Sequence, residues 1–148
     1  MNKQLLALAA ALCFGATGVA FAADAAGSID KKTHKANEEK IEAQYKADKK
    51  ACDGMKDNAK DVCKAEAKGK EKVAKAENDA QYKPSAKADE KVKMAKADAD
   101  YDVAKQKCDD QKGDAKSACK KEAKAAHDSA KGQAKADKAE EKAAAKTS

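Results

Sequence analysis

Cys52-Asp-Gly-Met-Lys-Asp-Asn-Ala-Lys-Asp-Val-Cys63 returns 56 residues later as Cys108-Asp-Asp-Gln-Lys-Gly-Asp-Ala-Lys-Ser-Ala-Cys119. Asp53, Ala59 and Lys60 recur as Asp109, Ala115 and Lys116, and outside the cysteines Tyr45, Glu66, Ala67 and Lys68 recur as Tyr101, Glu122, Ala123 and Lys124. The chain is an internal duplication. Each spacer carries helix-stopping and helix-starting residues, Asp53-Gly54 and Asn58 in the first and Gly113-Asp114 in the second. Cys108 lies five residues before Gly113 and Cys119 five after Asp114. Antiparallel helices on either side of such a turn set the two cysteines opposite each other, whereas one unbroken helix would hold them about 16 Å apart. A disulfide spans only about 4.4 to 6.8 Å between Cα atoms. This favours Cys52–Cys63 and Cys108–Cys119, each closing one αα-hairpin. A second pairing stays open: if both spacers are helical, Cys52 joins Cys119 and Cys63 joins Cys108, because eleven residues advance only about 20° beyond three turns. Free, intermolecular or metal-bound thiols are the third possibility.

Residues 1–22 read as a secretory signal peptide, with Lys3, an apolar run from Leu5 to Phe21 and the small-residue cleavage pattern Ala20-Phe21-Ala22. The cut is expected after Ala22 or Ala23. Cys13 follows Leu12 where a lipobox needs a small residue, so it reads as part of the apolar run rather than a lipid anchor. Export places the remaining four cysteines in an oxidising compartment, which favours disulfides.

Every Leu and Phe of the chain lies in this leader, and there is no Trp or Arg. The exported part therefore has few large apolar side chains and is too poor in them for an ordinary globular core. Its alanine, lysine and glutamate are instead strong helix formers, and alanine loses no side-chain entropy on ordering. Thin helices packed through alanine are the expected solution. After Lys3 leaves with the leader, 31 lysines face 26 acidic residues, a net +5, with the signs interleaved along the chain.

The expected fold is all-α, two tandem, elongated αα-hairpins with alanine-rich, coiled-coil-like packing. A flexible linker covers 23–30, the first hairpin 31–83, the second 84–131, and an Ala/Lys-rich tail, helical or frayed, 132–148. In the first helix Ile41, Tyr45, Asp48 and Cys52 share a face. The second helix, capped by Asn58, carries Ala59, Val62, Val73, Ala76 and Ala80. Pro84 marks the repeat boundary. Met94, Ala97, Tyr101, Ala104 and Cys108 form a narrow seam on the third helix, and Cys119, Ala123, Ala126 and Ala130 one on the fourth. Glu42/Lys46, Glu66/Lys70, Glu71/Lys75 and Asp79/Lys83 stand at ion-pairing spacing within their helices.

Function classes fall away on the same residues. Neither spacer holds a zinc knuckle, and His34 and His127 read as exposed helix residues, so no metal or other cofactor is expected. His127-Asp128-Ser129 has the residue types of a catalytic triad, yet three neighbours on one helix point in different directions. An enzyme is not expected. Nucleic-acid binding is disfavoured by the absence of Arg, the interleaved acids and the leader. What remains is a periplasmic structural or interaction protein of the cell envelope, working on an envelope partner. The alternative is weak electrostatic binding of lipid head groups or anionic polymers through lysine-rich helices.

The segment Ala-Lys-Asp-Val-Cys-Lys-Ala-Glu-Ala-Lys, Ala59 to Lys68, resembles the C-x10-C unit repeated in a group of small exported bacterial proteins labelled cell-envelope biogenesis or TolA-like. The resemblance covers most of the exported chain and implies a helical, envelope-associated protein. The second unit departs from it with Ser117-Ala118 in place of Asp61-Val62.

Overall fold

A computed structural model describes residues 28–147. The predicted leader, its cleavage point and Cys13 lie outside the described residues. Among those described there are four helices and no strand: α1 Lys31–Ala51, α2 Asp57–Tyr82, α3 Ala86–Cys108 and α4 Gly113–Thr147, with a single 3₁₀ turn, Cys52–Gly54, after α1. The fold is all-α, and the two hairpins α1–α2 and α3–α4 are each closed by a disulfide at the turn.

The local causes are visible at each end. Asp30 caps α1, its Oδ1 accepting from the backbone N–H groups of Lys32 and Thr33 at 2.7 and 2.8 Å. Ser85 caps α3 by accepting from Ala88 N–H at 3.1 Å, directly after the helix break that Pro84 enforces. The predicted caps Asn58 and Asp114 are not the helix starts, because α2 and α4 each begin one residue earlier. Those first residues, Asp57 (φ 48°) and Gly113 (φ 56°), are the two left-handed positions among the described residues, and they sit at equivalent places in the duplication. With the turn made there, Asn58 is released from capping. Its side-chain amide donates 2.7 Å to the carbonyl of Gln106 near the end of α3, which also accepts from the Asp109 N–H that caps the helix, at 2.9 Å.

Among the described residues α2 packs on α1 and α3, α3 packs on α4, and no contact joins α1 to α3, α1 to α4 or α2 to α4. The arrangement is an open row of helices rather than a closed bundle. α2 meets α1 through Lys75, Asn78, Asp79 and Tyr82, and α3 through Glu66, Gly69, Lys72 and Glu77. At 3.6 residues per turn these two sets lie roughly 150° apart around the helix. The middle of the row is its tightest point. A Cβ on Gly69 would fall 2.8 Å from Cβ of Ala99, so only glycine permits this approach.

Burial is correspondingly thin. Cys52, Ala67, Ala97, Ala99, Cys108 and Ala134 are the buried apolar residues among those described. The predicted α3 seam holds, with Ala97 and Cys108 buried and Met94, Tyr101 and Ala104 half-buried. The α4 seam differs: Ala126 and Ala130 are exposed, and the inward line is Cys119, Ala123, His127, Lys131 and Ala134. α4 also continues without a break through Gly132, and its far part packs on α3 through Ala134, Asp137 and Lys138 rather than standing as a separate tail.

Candidate functional site

Two kinds of site residue repeat in this molecule, the disulfides at the turns and the histidines between the helices. The disulfides follow from the turn geometry. Met55 N–H bonds back to the Cys52 carbonyl and Gln111 N–H to the Cys108 carbonyl, both at 3.1 Å, so the chain reverses identically in the two copies. The cysteine Cα atoms then stand 5.7 Å apart in Cys52–Cys63 and 5.6 Å apart in Cys108–Cys119. The pairing is within repeats, and the cross-repeat alternative is excluded. Cys52 and Cys108 are 0% and 1% exposed, which shields one sulfur of each bridge from an attacking thiolate.

Charges reinforce the turns unequally. Asp53 has Lys60 at 3.7 Å, whereas Asp109 has Lys116 at 3.0 Å and Lys120 at 2.6 Å. Hydrogen bonds from Lys120 and Lys116 hold the Asp109 carboxyl below its ordinary value.

The histidines are not exposed as the sequence suggested; their side chains retain 13% and 15% of their accessibility. His34 stacks on Tyr82 with ring centroids 4.6 Å apart and meets the Asp79 carboxylate through Nε2 at 2.9 Å. His127 stacks on Tyr101 at 4.8 Å and meets Asp98 through Nε2 at 2.6 Å. A second carboxylate lies near each Nδ1, Glu38 at 3.7 Å and Asp128 at 3.6 Å. Each ring is thus held against an Asp-x-x-Tyr pair one helical turn apart on the neighbouring helix, a spacing that places both on one face. The hydrogen bond from His127, then the charge of Lys131 at 3.7 Å, lowers the Asp98 carboxyl.

These clusters fasten neighbouring helices to each other. Among the described residues no group of three or more His, Cys, Asp or Glu side chains could hold a metal ion. Ser129 takes no part in the His127 contacts, whose carboxylate partners are Asp98 and Asp128. The groove between α2 and α3, about 760 Å³, is open, with Gly69, Val73, Ala99 and Val103 along it and charged side chains at its rim.

Beside His34 lies the buried polar residue Asn78, which donates to the His34 carbonyl at 2.9 Å and accepts from Asn37 at 3.0 Å. No pattern in the sequence signals these contacts. Nor do three of the expected same-helix ion pairs form: Glu42 turns to Lys75, Glu66 to Lys107 and Asp79 to His34, while Glu71–Lys75 forms at 2.8 Å. No family model matches the chain, nor does any curated protein or solved structure.

Proposed function

We propose that this is a non-enzymatic structural or interaction protein of the bacterial periplasm, related to the TolA-like Ala/Lys-rich group by its repeated C-x10-C unit. The observation that carries the reading is that all four cysteines among the described residues are bonded, in two identical staples, consistent with an exported, oxidising location. The disposition of the polar groups supports it. The half-buried histidines are engaged in joining helices, and the open row presents long, charged helix faces rather than a walled cleft in which pKa values and donors could be fixed for catalysis. No described helix is long and apolar enough to cross a membrane, so any attachment to the envelope made by these residues is through surfaces. Release on osmotic shock, together with an envelope-stress phenotype on deletion, is the expected result. Retention in the cytoplasm with reduced thiols would refute the reading.

One observation favours a second reading, weak binding to anionic head groups or polymers. None of the α1 lysines, from Lys31 to Lys50, enters an ion pair among the described residues, and most of them line the face turned away from α2. Contacts of that kind are screened within about 8 Å at physiological salt. Recovery with envelope fractions at low salt and loss at high salt would select this reading over a soluble partner.

A further inference from the structure

The duplication makes α1 the counterpart of α3 and α2 the counterpart of α4, yet the joint between repeats is used only once. Within the chain α2 lies on α3: Gly69 against Ala99, Lys72 with Asp102 at 3.5 Å, Glu77 with Lys96 at 2.8 Å, and Asn58 on the Gln106 carbonyl. Shifted by one repeat, the same register would set Ala125 of α4 against Ala43 of α1, Asp128 against Lys46, Gln133 against Lys40, and Asp114 beside Lys50. All eight of these residues are exposed, on faces of α4 and α1 that no other described helix covers. The Lys72–Asp102 pair becomes Asp128–Lys46, with the signs exchanged between the helices and the attraction kept. A repeat array whose ends were closed off would be expected to turn a plainly solvated face outward. Here the two ends are complementary.

We propose that the chain associates head to tail with further copies of itself, the outer face of α4 packing on the outer face of α1 of the next copy as α2 packs on α3 within each. The joint is looser than its internal template. Ala125 stands where Gly69 allows the close approach, Ser129 and Ala47 replace Val73 and Val103, and Glu122 faces Ala51 where Glu66 faces Lys107. Association is therefore reversible and salt-sensitive. Because the two surfaces differ, the contact is heterologous and adds copies in a row instead of stopping at a symmetric dimer. The inference is independent of the compartment in which the protein works.

Sedimentation velocity of the purified, oxidised protein over a wide range of concentration and ionic strength tests it. The average mass should rise with concentration and fall with salt. Lys46→Glu and Asp128→Lys, both at exposed positions, should each weaken association about tenfold by opposing like charges. An equimolar mixture of the two variants should recover open-ended growth in alternating order, since α4 of D128K attracts α1 of K46E while α4 of K46E and α1 of D128K keep the original Asp128–Lys46 pair. A mass that stays monomeric throughout, or that ignores the single reversals, would overturn the proposal. So would a protein that never self-associates but is retained on vesicles of equal parts phosphatidylglycerol and phosphatidylcholine and loses that retention in K46E, which would assign the α1 face to an anionic surface.

Discussion

The two hairpins share a backbone plan and differ in what crosses it. His34 and Tyr82 stack in the first hairpin where the second has Glu90 and Lys138 as an ion pair. His127, Asp98 and Lys131 of the second occupy the places of Glu71, Glu42 and Lys75 in the first. Buried Asn78 is answered by buried Ala134. At 1.5 Å per residue the stacked histidine is roughly 27 Å from its disulfide in the first hairpin and roughly 12 Å in the second. Duplication has thus preserved where helices touch while exchanging stacking, ion pairing and hydrogen bonding at the points of contact. The turn, fixed by covalent geometry, is the part that could not drift.

The largest effect expected from this comparison is loss of a staple. Replacing Cys52 and Cys63 together by Ala, or Cys108 and Cys119 together, should each lower unfolding free energy by about 3 kcal/mol, because the closed loops are of equal length. Chemical denaturation of the two double variants checks it, and losses differing by more than about 1 kcal/mol would show that the staples are not equivalent. Next comes the buried pair. Asn78→Ala leaves the His34 carbonyl and Asn37 without their partner, and Ala134→Asn buries an amide with none in place; each should destabilise by about 1–3 kcal/mol. If Ala134→Asn proved neutral, the second hairpin would hold an unused acceptor there.

A smaller effect of opposite sign is expected at the turns. Asp57→Gly should stabilise by about 1 kcal/mol, relieving a left-handed non-glycine residue, and Gly113→Ala should destabilise by a similar amount. Thermal melts of the two variants read the difference directly.

The least effect is the acid response. Asp98, Asp109, Asp128 and Asp137, all in the second hairpin, have carboxyls lowered by hydrogen bonds from His127, Lys120, Lys124 and Lys93 respectively. A depressed folded value means stability that is fully present above the ordinary value of 3.8 and lost as pH falls below it. In the first hairpin Asp30, at the N-cap, is lowered by hydrogen bonds from the backbone and hydroxyl of Thr33. Amide exchange followed from pH 5 to 2 should therefore show α3 and α4 losing protection before α1 and α2. The reverse order would break the assignment of charge-assisted contacts to the second hairpin.

Hairpins, turns and disulfide pairing were readable because their signals are local: Gly113, Pro84 and the cysteine spacing act within a few residues. The histidine sites were not, since a helix of alanine and lysine has several equally plausible inward faces and only the neighbouring helix chooses among them. Ala126 and Ala130 lost to His127 for that reason, and Glu42 found Lys75 across the hairpin instead of Lys46 along it. One signal was present, Asp-x-x-Tyr at both 79–82 and 98–101, each offering a carboxylate and a ring to a partner helix. The Asn37–Asn78 pair had none, because two amides on separate helices carry no pattern until the helices are aligned.

That each helix touches only its neighbours in sequence, among the described residues, also bears on how the molecule forms. Most contacts are local, within one helix, so contact order is low, as in fast-folding helical proteins. Nucleation can begin at either disulfide-closed turn and spread outward like a zipper, helix by helix, with the Gly69–Ala99 approach drawing the two halves together last. Unfolding would retrace the path, with α2 and α3 the first pair to separate and each hairpin then fraying from its open end toward its stapled turn.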